Sequence, residues 1–463
     1  MKNAVYTFLS NLVAMCVTAL VTLIAPKMLT VEEYSWFQLY LFYVTYISIF
    51  SLGWGEGIYL RHGGEYLEKL DKKAFSGQFR FYMLIEIVFA IMLALASGAF
   101  IEERQTIVFF WGIAIAAYAP CLFYRNLLLS VNCIKEYAIT HIIEKGVYCA
   151  VGLTAIFVFR HGFYFLLIAD IVGKIAADLY IFILCRSLIF ARTSFSTSVL
   201  KTAWENIRVG SKLMISNLIS LFIIGVVRFF IERTWDTTTF GKVSLTISIS
   251  NLLMVFIRAV ALVMFPMLRR TNSDKLSGIY NTMRTCLMIP LLGMLVCYYP
   301  AKVILSAWLP QYADSLVYMA LLFPMCVFES KMSMLIETYM KTLRKEKWLL
   351  LVNVTTVSLS VVITLITTYW LHNLDLAVAS IVFLLAFRCV FAELLLSTVL
   401  DVNVKTDIVL ELALTIVFIG ASWFVGGIAG LAIYAAAYLV YLFIKRNDVA
   451  FVLNTALRMV RRA

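Results

Sequence analysis

Asp170, Lys174 and Asp178 recur at steps of four inside one apolar stretch. On a helix each step advances about 40°, so the three side chains share a face. An acid one turn before a lysine is the favourable pairing direction. Two chemistries fit this pattern. One is a self-neutralising pair that packs a helix. The other is a relay for protons or cations, in which Lys174 neutralises one carboxylate at a time and the other is left to take a proton. Four more cations, Arg228, Arg258, Lys331 and Arg388, also fall inside apolar stretches. An unpaired charge at the centre of a membrane helix costs roughly 2.5–3.5 kcal/mol, so all of these must face protein or a water-filled cavity.

Their surroundings differ. Arg258 has no acid within one helical turn on either side, which suits a cavity-lining, anion-binding role. Arg228 has Glu232 one turn on and can pair with it. Arg388 has only Glu393, five positions on, which is poor geometry within one helix, and Lys331 has Glu329 on the other side of its helix. The acids in or near apolar stretches are Glu56, Glu86, Glu144, Asp170, Asp178, Glu329, Glu337, Glu393 and Glu411. Glu56 lies in "FSLGWGEGIYLRHGGEY", where Gly53, Gly55 and Gly57 alternate at the end of an apolar run and Arg61 follows. Alternate glycines remove side chains on both faces, so backbones approach closely or the helix bends. This suits either a moving gate that carries Glu56 or a tightly packed helix end.

These residues need long apolar elements to hold them, and the composition supplies them. The 463-residue chain is 62% hydrophobic and 14% charged, with a mean hydropathy of +0.91. Soluble domains carry about 25% charged residues. Apolar runs long enough to cross about 30 Å of hydrocarbon recur throughout. The reading is an all-α integral membrane protein with about 14 transmembrane helices joined by short connections, the longest being 61–80, 186–210 and 266–283. No connection is long enough for a catalytic domain, which argues against an enzyme. The nine cysteines form no C-x-x-C pair and the four histidines have no metal-ligand spacing, so no metal or cofactor is expected. The net charge of +12 fits loops beside anionic lipid rather than nucleic acid.

With the N-terminus placed in the cytoplasm, 28 of the 39 Lys and Arg fall in inside segments, 6 outside and 5 within spans. Both termini are then cytoplasmic. Ser10-Asn11-Leu12 lines up with Ser216-Asn217-Leu218, and at the same offset Tyr34-Ser35 faces Phe240-Gly241. The expected organisation is two pseudo-symmetric six-helix halves, residues 1–200 and 201–403. Two extra helices and a basic tail, residues 404–463, follow them. Parallel halves of this kind place a substrate site between them near the midplane.

"APKMLTVEEYSWFQLYLFYVTYISIFSLGWGEGIYLRHGGEY" resembles the first-helix exit and second helix of the Wzx-type polysaccharide flippases. These belong to the multidrug/oligosaccharidyl-lipid/polysaccharide exporter superfamily. "TWDTTTFGKVSLTISISNLLMVFIRAVALVMFPMLRRTN" and "AWLPQYADSLVYMALLFP" resemble corresponding stretches of the second half. Ser35 stands where many relatives have glycine. The resemblance implies a substrate, an oligosaccharide on an undecaprenyl diphosphate carrier. It is moved from the cytoplasmic to the periplasmic leaflet of the bacterial inner membrane, for O-antigen or other surface polysaccharide. It also implies a polysaccharide polymerase and a chain-length regulator as partners, besides the membrane lipids. A diphosphate needs cations, so the candidate substrate residues are Arg258, Arg228, Lys331, Arg388 and Arg61. With no nucleotide-binding fold, coupling to a proton or sodium gradient falls to Asp170, Lys174, Asp178 and Glu56. A cation-coupled multidrug antiporter of the same superfamily is the alternative, and a membrane glycosyltransferase or polymerase a more distant one.

Overall fold

The computed structural model describes residues 2–159, 162–192, 197–269 and 276–448. Within those ranges the side chains of 2–11, 159, 198, 253, 255–269 and 276–277 lie outside the description. No strand occurs among the described residues. The chain forms two compact units, one of Met1–Ile219 with Thr237–Gly241, the other of Ser220–Asp236 with Lys242–Ala463.

The first unit opens with α1 (Lys2–Met28) and α2 (Val31–Val44). The junction is a capping box: the Thr30 hydroxyl accepts from the Glu33 amide at 3.2 Å, and the Glu33 carboxylate accepts from the Thr30 amide at 3.0 Å. The acidic "VEEY" of the sequence is therefore a helix start signal. Glu33 also accepts from the Gly162 amide at 2.8 Å. Helix α3 (Trp54–Arg61) follows, then α4 (Lys72–Ala96), capped by Asp71, and α5 (Glu102–Ser130). Next come α6 (Ile134–Phe159), α7 (Tyr164–Leu184) and the single turn α8 (Arg186–Ile189). Helices α4, α5, α6 and α7 pack in neighbouring pairs, and α2 and α3 both lie on α5.

The division between units falls inside α9 (Thr197–Thr234), and α10 (Thr237–Arg269) begins in the first unit and continues in the second. The second unit adds α11 (Leu276–Met294), α12 (Tyr298–Trp308), α13 (Met319–Leu322) and α14 (Met325–Lys331). A wide π turn, Met332–Ile336, leads to α15 (Glu337–Thr342). Then come α16 (Glu346–Leu365), α17 (Leu374–Leu400), α18 (Lys405–Gly420) and α19 (Gly427–Ile444). Helix α17 packs on α14 and α16, and α18 packs on α19.

Among the described residues ten helices are long and apolar enough to cross a membrane, eleven if Val31–Ile49 and Trp54–Arg61 count as one bent span. Helices α1, α7 and α10, at 27, 21 and 33 residues, also exceed the roughly 20 residues a crossing needs. The chain is a multi-pass membrane protein. Two sequence expectations are corrected. The second span, expected as one helix over 37–60, bends by 49° ahead of Trp54, where Gly53 takes a left-handed φ of +80°. The connection expected over 186–210 is mostly helix, because α9 starts at Thr197. Hydropathy marks only the apolar part of a helix, and the first turns of α9 are polar.

Candidate functional site

In the first unit the helix α7 charges resolve into distinct environments. Lys174 pairs with Asp170, which also accepts a hydrogen bond from the Tyr40 hydroxyl at 2.7 Å. Asp178, only 6% exposed, lies against Cys121 of α5 and forms no ion pair among the described residues. One turn of helix separates it from Lys174, and the lysine has settled on the acid N-terminal to it.

A second pair, missed in the sequence reading, stands beside this one. Arg125 of α5 and Glu144 of α6 are both 4% exposed and meet at 2.6 Å. Arg125 also donates to the Thr140 hydroxyl and carbonyl at 2.9 and 3.0 Å, and Lys145 reaches Glu144 at 3.0 Å. The Tyr118 ring joins the two pairs, with Lys174 Nζ 5.8 Å and the Arg125 guanidinium 5.9 Å from its centre. Arg125 lies in the apolar run "APCLFYRNLLLS". That run was the available signal. Glu56 is half-buried on α3 and Glu86 is buried on α4. Neither forms an ion pair among the described residues. Among the groups that line α3 to α7 inside the first unit, Glu56, Glu86, Glu144, Asp170 and Asp178 thus stand against Arg125, Lys145 and Lys174.

Arg61 is held on α9. Its guanidinium donates to Asn206 at 2.6 Å, to the Thr202 carbonyl at 3.2 Å and to Glu205 at 2.8 Å. Asn206, fully buried, donates in turn to Gln78 of α4 at 2.7 Å. The alternating glycines explain how α3 comes so close. A Cβ on Gly57 would overlap the Asn206 backbone, and one on Gly53 would overlap Gly210 and Ser211. The stripe seats α3 backbone to backbone on α9. Gly57→Ala is therefore expected to destabilise the protein by about 1–3 kcal/mol, the range for overpacking. Thermal unfolding in detergent should show a lower midpoint, and an unchanged midpoint would contradict the contact.

In the second unit the buried cations are met by carboxylates from neighbouring helices. Arg284 of α11, 2% exposed, donates to Glu393 at 2.7 Å and Asp407 at 2.6 Å, and meets Glu411 at 2.8 Å. Lys331 of α14 pairs with Glu393 and, at 2.7 Å, with Glu411. Lys445, just past α19, reaches Asp407 at 2.5 Å. Lys445 also pairs with the exposed Asp448 at 2.7 Å, so three cations and four carboxylates tie α11, α14, α17, α18 and the end of α19 together. Arg388, 1% exposed, donates to Asn353 at 2.9 Å, Ser220 at 2.9 Å, Glu329 at 3.2 Å and Glu337 at 3.1 Å. Arg228 donates to the Ser244 hydroxyl at 2.9 Å. The side chain of Arg258, on α10, lies outside the described residues. Of the five candidate substrate cations, Lys331, Arg388 and Arg61 are each already neutralised by a carboxylate in this conformation.

No protein-family model matches the chain, and no curated protein matches it. Solved structures do. The lipid II flippase MurJ, in an inward closed conformation, superposes with a TM-score of 0.63 at 12% identity, over 97% of this chain and 99% of that one. This chain has the fold of the MOP-superfamily transporters. An inward-facing multidrug resistance MATE family transporter of the MOP superfamily gives a TM-score of 0.57 at 13% identity, over 83% of this chain and 96% of that one. A MOP-superfamily transporter from Pyrococcus furiosus, described as having a binding pocket of reverse polarity, gives 0.50 at 13% identity, over 87% and 97%. These MOP-fold neighbours are transporters and a flippase, not enzymes. At such identities the likeness is one of fold.

Proposed function

We infer that this chain flips an oligosaccharide carried on undecaprenyl diphosphate from the cytoplasmic to the periplasmic leaflet of a bacterial inner membrane, by alternating access coupled to an ion gradient. One observation carries the reading: the match to a lipid flippase runs through 97% of the chain, against 83% for the multidrug transporter. The charge chemistry supports it. A diphosphate needs cations not already spent on carboxylates. With Lys331, Arg388 and Arg61 so engaged, we assign the role of headgroup anchor to Arg258, which has no acid within one helical turn in the sequence. The two six-helix halves and the trailing pair of helices expected from the sequence belong to the same proposal, as does delivery to a polymerase and chain-length regulator.

The interior carboxylates of the first unit are the seat of coupling in this reading. Asp178 is the exchanging carboxylate, with the Asp170–Lys174 pair beside it and Glu56 on the bent α3. Asp178→Asn, Asp170→Asn and Glu56→Gln are each expected to express normally and to weaken the dependence of transport on an imposed gradient. Transport in proteoliposomes under proton and sodium gradients checks this. Unchanged gradient dependence in all three makes these charges packing residues.

The cation-coupled multidrug antiporter keeps one favouring observation, the same interior carboxylates of the first unit. It predicts transport of organic cations by the purified chain, which the flippase reading does not.

A further inference from the structure

Glu56, Tyr82 and Glu86 are left over once the ion pairs of the first unit are assigned. Glu86 is 2% exposed and its Oε1 accepts no hydrogen bond. The Glu56 Oε2 is buried and accepts none, and the hydroxyl of Tyr82, 1% exposed, has only the Glu86 carboxylate to turn to. The three belong together. Tyr82 and Glu86 lie one turn apart on α4 and so share a face. Trp54, two positions before Glu56, packs edge-on against the Tyr82 ring with centroids 5.5 Å apart. The Tyr82 phenol interacts with both carboxylates. The surrounding wall is apolar and aromatic, built from Trp54, Phe79, Phe123 and Tyr124.

A carboxylate in such a wall with no cation is not kept ionised, since a buried charge must be paired or neutralised. Two occupants meet that need, a metal cation and a proton. A metal ion of the hard, oxygen-seeking kind takes about six oxygens or more. Two carboxylates and a phenol fall short of that shell, and no group of three metal-ligating side chains occurs among the described residues. The occupant that fits is a proton.

We propose that Glu56, Tyr82 and Glu86 form a proton-binding site between α3 and α4, separate from the Asp170–Lys174–Asp178 set. A proton from bulk water bonds to a carboxylate oxygen of Glu86 or Glu56 and returns to water when α3 shifts. Helix α3 is suited to this because its bend, its glycine seat on α9 and its Arg61 anchor all lie within two turns of Glu56. The neighbouring titratable and charged groups leave the site uncompensated. On α5 Tyr118 stands nearby, with Arg125 committed to Glu144, and Cys121 lies against Asp178 of α7. On α9 Glu205 is held by Arg61 and Arg208 is exposed, and on α8 Arg186 is exposed. The proposal deepens the coupling reading above and rests on it for the use of the proton, not for its presence.

Infrared difference spectroscopy of the full chain in lipid tests it through the carboxylic C=O band. Wild-type protein at neutral pH should show a protonated-carboxyl band that shifts in D2O. Glu86→Gln and Glu56→Gln should each remove part of it, and the double variant more than either. Glu56→Gln, at the half-exposed position, carries the test alone where the α4 variant folds poorly. A wild-type spectrum without the band, or one that neither variant changes, overturns the proposal. Loss of the band on adding sodium chloride at constant pH also overturns it, because the occupant is then a metal ion. A band lost in the variants of a chain that flips no lipid-linked oligosaccharide supports the site and sinks the flippase reading instead.

Discussion

Glu393→Ala is expected to lower the unfolding free energy by about 3–5 kcal/mol, the cost of breaking a buried charge network by removing one partner. The glutamate is fully buried, accepts from Arg284 at 2.7 Å and from the Tyr280 hydroxyl at 3.0 Å, and pairs with Lys331. Its loss removes one of the two carboxylates that Arg284 and Lys331 share, and leaves these buried cations with Glu411 and with Asp407, which Lys445 also claims. The paired variant Glu393→Leu with Lys331→Met removes one charge of each sign and should cost less than Glu393→Ala alone. Thermal and denaturant unfolding in detergent separate the two. A double variant that is less stable than the single one would contradict the charge-balance argument.

The second large effect is functional. Arg258→Ala should abolish surface polysaccharide while the protein still inserts, and Arg258→Lys should restore it in part. Lysine keeps the charge but loses the bidentate geometry that suits phosphate oxygens. The measurement is polysaccharide on cells whose own copy of the gene is replaced by the variant. Normal polysaccharide from the alanine variant at native expression removes Arg258 from the headgroup site.

The sequence made some of this visible and hid the rest for physical reasons. Long apolar helices follow from hydropathy, because the bilayer demands them. The Asp170–Lys174 pair was visible because both partners sit on one helix, one turn apart. The partners of Arg388 were not. Glu329 and Glu337 come from other helices, and only the fold brings them within 3.2 and 3.1 Å. Lys331 likewise finds Glu393 and Glu411 rather than the Glu329 beside it in sequence. Arg125 and Arg284, two cations near helix ends, are both buried in ion pairs. Counting cations by side treats a charge near a helix end as solvated, and these two instead have carboxylates waiting on neighbouring helices. The glycines of α3 announced a close approach, but the surface they approach, the polar start of α9, lies where the hydropathy pattern suggested a loop.

The most direct test of the flippase reading uses the purified chain in proteoliposomes that carry a fluorescent undecaprenyl-diphosphate oligosaccharide. A membrane-impermeant quencher reports the leaflet that holds the label, with and without an imposed ion gradient, and an organic cation dye is followed in parallel. The expected result is gradient-dependent movement of the labelled lipid across the bilayer, lost in Arg258→Ala, with no accumulation of the dye. Dye transport by vesicles in which the labelled lipid stays in its leaflet would contradict it.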